Sequence, residues 1–292
     1  MHTHTRVLAL VVALLLCLPS LGRGQSQGPD PLGQVDFANS CRAAVQGTLQ
    51  HGVALLHSFW FRESETTFGA VLAQDPAGAI ATWGMAAALM GNPLAGHGPS
   101  PPEAQRAQAA LAEGYGIGAP TPRERAYLDA IAAYYQAWET RPEPARQQAR
   151  AQAFAALAAR YPADDEAQIF AALYLAATQT KTDQTSAASL QAAAMLERQF
   201  ARHPNHPGVA HYLIHCYDAP PLAAQGLPAA RRYAAIAPGV PHALHMPSHI
   251  FIRLGAWAES AATNERSVIA AERANEPDDQ LHAMDYLVPL QG

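Results

Sequence analysis

The chain has 292 residues, 49% of them apolar and 15% charged, with a formal charge of −5, which suits one large domain or a repeat array. Nineteen basic residues stand against 24 acidic ones and Lys181 is the only lysine, so no basic face exists and nucleic acid is not an expected partner. Three cysteines are too few for a disulfide framework.

Residues 1–24 read as a secretory signal peptide. Arg6, with His2 and His4, precedes an apolar run from Val7 to Leu18, and Pro19, Ser20 and Gly22 mark a cleavage zone that places the cut before Gln25. The run is shorter than the ~20 residues that span a bilayer. Leu16 stands where a lipid-anchored protein would carry a small residue before Cys17. The expectation is an exported protein, periplasmic or secreted, with no transmembrane segment after signal removal. Residues 25–36 (QSQGPDPLGQVD) read as a flexible polar leader, and 37–292 as one helical repeat domain. Cys41 and Cys216 remain after cleavage; whether they pair is left open by the sequence.

From there nearly everything reads as helix. Apolar residues recur at three and four, as in Val53, Leu56, Trp60 or Leu128, Ile131, Tyr134, Tyr135, Trp138. Helices stop at Asp75-Pro76, Tyr161-Pro162, His203-Pro204 and Ala237-Pro238, because proline has no amide donor and clashes with the preceding turn. These stops divide the chain into helix pairs at 45–76, 79–115, 121–162, 164–205, 207–238 and 241–272, with a partial unit from about 277. Pro207, His211 and His215 lie 34 residues before Pro241, His245 and His249, and 34 is the tetratricopeptide repeat period. Gly52, Ser64, Phe68 and Pro76 keep the small–small–aromatic–proline order of that repeat, and Leu254-Gly255-Ala256-Trp257 matches its inter-helix turn. The insert 91–102 (GNPLAGHGPSPP) is expected to overhang the groove. The expected fold is all-α: a TPR-like right-handed helical solenoid of about six helix pairs plus a partial C-terminal unit.

Several stretches carry a family resemblance: Val35-Asp36-Phe37 through Ser40-Cys41, GVALLHSFWF (52–61), Asp75-Pro76 before Trp83-Gly84, HPGVAHYLIHCYD (206–218), GLPAARRYAAIAP (226–238), PHALHMPSHIFIRLGAW (241–257) and HAMDYL (282–287). In these the chain resembles exported bacterial tetratricopeptide repeat proteins. The resemblance implies fold and export and brings no reaction with it. It also implies a cysteine just after the first Asp-Pro, a partner for Cys41, where this chain has Gly78. Family members continue past HAMDYL, so a truncated member whose last helix (about 278–290) exposes Leu281, Met284, Leu287 and Val288 is a further expectation.

Eight of the thirteen histidines fall between 203 and 282. Residues four apart share a helix face, so His211/His215 and His245/His249 are matched pairs on neighbouring first helices, about 8–10 Å apart. They are expected to point into one concave groove, with His282 as a tentative further ligand and Asp218 or Glu265 behind them. Neutral imidazole suits zinc or copper. No glutamate lies inside either His-x-x-x-His, which disfavours a metalloprotease. His57 reads as core, His203 and His206 as loop residues, and Cys216 as a buried thiol.

No nucleophile elbow, phosphate loop or dinucleotide fingerprint is present, so no catalytic residue is assigned and an enzyme is not the first expectation. The first expectation is a binding scaffold whose histidine-lined groove takes a peptide, protein or small ligand. The second is a zinc- or copper-binding protein, or a metal-dependent enzyme, built on His211, His215, His245, His249 and His282. Weighed equally against both are structural roles for the four paired histidines, as capping and turn partners near Pro241 and Pro247 or as a stacked ladder. Rings protonating near pH 6 should release a metal and hold an acidic ligand more tightly.

Overall fold

The structure, a computed structural model, describes residues 32–180 and 182–287; the expected signal segment and residues 25–31 lie outside the described residues. The described chain is all-helical. After a 3-10 turn at Ala43–Val45, the helices are α1 (Gln46–His57), α2 (Phe61–Gln74), α3 (Ile80–Leu89), α4 (Pro101–Ile117), α5 (Pro122–Tyr135), α6 (Glu143–Arg160), α7 (Asp165–Ala176) and α8 (Ala187–Arg202). They continue as α9 (Pro207–Tyr217), α10 (Ala223–Ile236), α11 (Pro241–His245), α12 (Pro247–Arg253), α13 (Trp257–Ala274) and α14 (Pro277–Asp285). Consecutive helices pack as antiparallel hairpins, and each second helix also packs on the first helix of the next pair.

The boundaries follow from local chemistry. Asp75, Tyr161, His203 and Ala237 each end a helix and precede a proline, and their backbones share one conformation (φ −124° to −130°, ψ 64° to 82°). The proline ring excludes α geometry from the residue before it, so one steric rule recurs four times. Starts are capped: Ser100 and Glu103 close a capping box on α4, and Thr121 and Asp164 accept the free amides of α5 and α7. Pro247 splits the sixth first helix into α11 and α12, because it has no N–H to continue the ladder.

The small residues of the repeat act by proximity. A Cβ on Gly52 would lie 3.1 Å from the Phe68 ring, and one on Gly84 would collide with it, so Phe68 sits between the first and second hairpins. An aromatic column runs through the centre: Phe37 stacks on Trp83 at 5.0 Å, Trp83 meets Phe170 edge-on at 5.3 Å, and Phe170 stacks on His57 at 4.5 Å.

Two expectations change here. The end of the leader is not free: Leu32 is buried and the Gln34 amide donates to the Asn205 carbonyl. The interior of the array is not an open trough either. Because α1 packs on α9 and Glu276 accepts from Trp60 Nε1 (2.8 Å) and Arg62 (2.7 Å), the last described helix meets the first hairpin and the histidine side is filled with rings. Cys41 and Cys216 are both buried and free, so they do not pair with each other. Leu281 and Met284 of α14 are 61% and 45% exposed, as expected, whereas Leu287 is half-buried rather than exposed and Val288 lies outside the described residues.

Candidate metal centre

α9 carries His211 and His215, α11 carries His242 and His245, α12 carries His249, and α14 carries His282. The structure brings all six together but sorts them differently from the sequence expectation of two converging pairs. His211, His215 and His242 form one triad, and His245, His249 and His282 a second; within each, one nitrogen per ring lies within 4.8 Å of the others. Each triad therefore consists of an i, i+4 pair completed by a histidine from the next first helix. The triads adjoin, with the His215–His249 and His242–His245 ring centroids both 6.2 Å apart.

His242 was missed by the sequence reading, although 242, 245 and 249 are spaced three and seven apart on one helical face. Its counterpart one period earlier is Gly208, where any Cβ would collide with the His57 ring. The repeat therefore holds a histidine in one unit and a glycine in the other, and sequence superposition hides it.

Proton accounting distinguishes these contacts from ordinary hydrogen bonds. His245 Nδ1 lies 2.7 Å from Asn264 Oδ1, and the Asn264 amide donates to the Ser260 carbonyl, which fixes its oxygen toward the ring. His245 Nδ1 must therefore carry the proton, leaving a lone pair on Nε2. His249 Nδ1 lies 2.9 Å from the Asp218 carboxylate, so its Nε2 also presents a lone pair. These two Nε2 atoms face each other at 2.9 Å. Two lone pairs repel, so a positive charge must stand between them: an added proton or a metal ion. A proton serves two rings; an ion serves all three of the triad.

The first triad converges on one nitrogen. His211 Nδ1 donates to the His57 carbonyl at 2.8 Å, so its Nε2 has one lone pair, yet His215 Nε2 (3.1 Å) and His242 Nε2 (3.2 Å) both approach it. Three nitrogens bound to one ion at ~2.0–2.1 Å would stand about 3.3–3.5 Å apart, so small movements would seat one.

Burial lowers the proton affinity of His211, His215, His242, His245 and His282. His211, His215 and His242 are held well below the usual histidine range by desolvation and then by neighbouring imidazoles, and His245 falls to about 3 for the same reasons. His282, exposed on α14, is lowered as well. The expected protonation near pH 6 is thus overturned for His211, His215 and His245, because burial leaves little water to solvate the charge.

A third cluster, His57, Glu166 and His206, contains no such conflict. Glu166 accepts from His57 Nε2 (2.8 Å) and His206 Nε2 (2.9 Å), His57 Nδ1 meets the Tyr212 hydroxyl at 2.8 Å, and His206 Nδ1 accepts the Val209 amide. Burial pushes the Glu166 carboxyl up, but the two histidines outweigh it and hold it well below the carboxylate range. Every atom has its complement, so this is a buried clamp joining α1, α7 and α9. His206, expected in a loop, is instead the buried N-cap of α9, because its ring takes the free amide of the first turn.

Among the remaining candidates, Asp218 stands behind His249 and is paired with Arg253 at 3.0 Å, whereas Glu265 is exposed on α13 away from the rings. Cys216 is buried, its thiol pushed up to about 12 by desolvation, and is no ligand. Two cavities reach the array: one of about 780 Å³ bordered by His215, Leu94 of the 91–102 insert and Asp218, and one of about 250 Å³ bordered by His249, Tyr286 and Asp285. No helix among the described residues is long and apolar enough to cross a membrane. Neither a protein-family model nor a curated protein matches this chain.

Proposed function

We propose that this is an exported transition-metal-binding protein in which a TPR-like right-handed repeat scaffold holds zinc or copper on two three-histidine sites. The observation that carries this reading is the 2.9 Å approach of His245 Nε2 to His249 Nε2 while both Nδ1 protons are already committed to Asn264 and Asp218. The carboxylate–histidine arrangement behind His249 is the usual outer support of a metal ligand. A purely structural ladder would need an added proton at this contact, which serves two rings, whereas an ion would engage all three rings of the triad.

Purified chain, stripped with chelator and titrated with zinc or copper, should take up two ions. His211→Ala should remove one, His249→Ala the other, and His97→Ala neither. A stripped chain that binds no ion above background would end the metal reading. A second reading, docking of a small polar ligand or peptide at the same face, draws on the cavity of about 780 Å³ beside His215. Peptide capture that survives complete metal removal would favour it.

A further inference from the structure

The first triad has an aromatic cap whose backbone is strained. After α1, the Phe59 amide donates to the Leu56 carbonyl (3.2 Å) and the Trp60 amide to the Leu55 carbonyl (3.0 Å). This pair of bonds is a Schellman turn, whose central residue must be left-handed and is commonly glycine. The same turn closes α12, with Gly255 donating to Ile252 (3.2 Å) and Ala256 to Phe251 (2.9 Å), and there the left-handed position is glycine at φ 71°. At the first turn it is Phe59, at φ 58°. Left-handed backbone is unfavourable for a side-chain-bearing residue, and a bulky residue in that region is uncommon. Something must offset that cost. The Phe59 ring lies 4.3 Å from His211, 5.6 Å from His242 and 5.9 Å from His215, centroid to centroid, and so covers every ring of the first triad.

We infer that Phe59 caps the first triad and that its neutral donor set makes it the site for the cuprous ion, while the second triad is the site for a hydrated dication. The inference rests on the metal reading above. Zinc seeks four ligands and keeps water where the protein gives three; a cuprous ion is satisfied by three imidazoles. The donor set of the first triad is neutral, and its rings are buried or half-buried. The solvation cost of burying an ion grows as the square of its charge, so a dication loses about four times what a monocation loses. The nearest carboxylate, Asp279, is 3.9 Å from His242 on the nitrogen facing away from the triad. An aromatic face beside a desolvated cation adds a further attraction. The second triad differs in charge and exposure: Asp218 bonds directly to His249 and His282 is exposed, while the Tyr286 ring, 4.7 to 5.5 Å from its three imidazoles, gives it an aromatic neighbour as well.

The test uses the full chain carrying His249→Ala, which disables the second triad, with Phe59→Leu and Phe59→Tyr built on it. Each protein is stripped, then titrated anaerobically with cuprous ion under reductant, or with zinc, against a chromophoric chelator. The His249→Ala chain should hold one cuprous ion that excess zinc does not displace. Phe59→Leu, which keeps apolar bulk but loses the ring, should weaken cuprous binding about 10-fold relative to zinc. Phe59→Tyr should retain the preference, and circular dichroism should show all three folded. Equal affinity for the two ions with Phe59 intact would overturn the inference, as would an unchanged ratio in Phe59→Leu. If the His249→Ala chain binds neither ion while the parent chain binds one, the inference fails and the metal reading survives at the second triad alone. If the parent chain binds nothing, the metal reading itself has failed.

Discussion

Glu166→Ala should be among the most damaging single substitutions in the chain. The side chain is 2% exposed, and its two oxygens accept from His57 and His206 at 2.8 and 2.9 Å. Truncation leaves two imidazole N–H groups buried without acceptors and opens a void where α1, α7 and α9 meet. Removing one member of a buried charged network costs about 3–5 kcal/mol, which for a domain of this size lowers the melting temperature by roughly 6–20 °C. Glu166→Gln should cost less, about 1–2 kcal/mol, for a reason the geometry supplies. His206 Nδ1 accepts the Val209 amide, so His206 Nε2 must remain a donor and face the glutamine oxygen. The glutamine NH₂ then faces His57 Nε2, which can accept only if the His57 proton moves to Nδ1; the Tyr212 hydroxyl there can accept it. Urea unfolding followed by circular dichroism should therefore rank parent, Gln and Ala in that order. Equal losses for Gln and Ala, or a loss below about 1 kcal/mol for Ala, would refute the clamp.

Three further outcomes are expected. Gly78→Cys should form a disulfide with Cys41, since a Cβ at Gly78 would lie 2.9 Å from the Cys41 sulfur; closing that 37-residue separation (78 minus 41) should stabilise by up to about 4 kcal/mol, and a persistently free thiol after mild oxidation would count against it. The metal-free chain should lose stability as pH falls below 6.5, because the unfolded chain then binds protons that folded His245, with its pKa near 3, refuses; the loss should develop between those values, and a urea midpoint that rises on acidification would contradict the assignment. Limited proteolysis should clip α14 sooner in stripped than in metal-loaded protein, since Ala283 is its only buried residue and His282 would be fixed by the ion; identical rates in both states would exclude that role for His282.

Much of the architecture was legible because it is written in steric rules. The four X-Pro stops act on the residue before them whatever the surroundings, so the helix pairs could be bounded from the sequence. The 34-residue spacing correctly grouped His211 with His215 and His245 with His249, because helical neighbours four apart need no tertiary information. What could not be read was how far the array coils. His242 completes the previous unit's site, His57 reaches α7 and α9, and both depend on the approach of distant helices. Without that approach His206 looks like a loop residue, and imidazoles expected in an open groove would titrate near pH 6. Phe59 was equally hidden, since a left-handed phenylalanine obeys no local preference.

The meeting of α14 with the first hairpin through Glu276, Trp60 and Arg62 has a consequence in time as well as space. An open repeat array can nucleate anywhere and grow by neighbour contacts. Here the histidine cluster draws its outer support from the His57 carbonyl in the first helix and its last imidazole, His282, from α14, more than two hundred residues along the chain. Contacts of such long range form slowly, after the loop between them has closed. A partly folded chain would offer an ion only the local pairs, His211 with His215 or His245 with His249, and hold it loosely. Full coordination at the second triad would require α14 to have docked first.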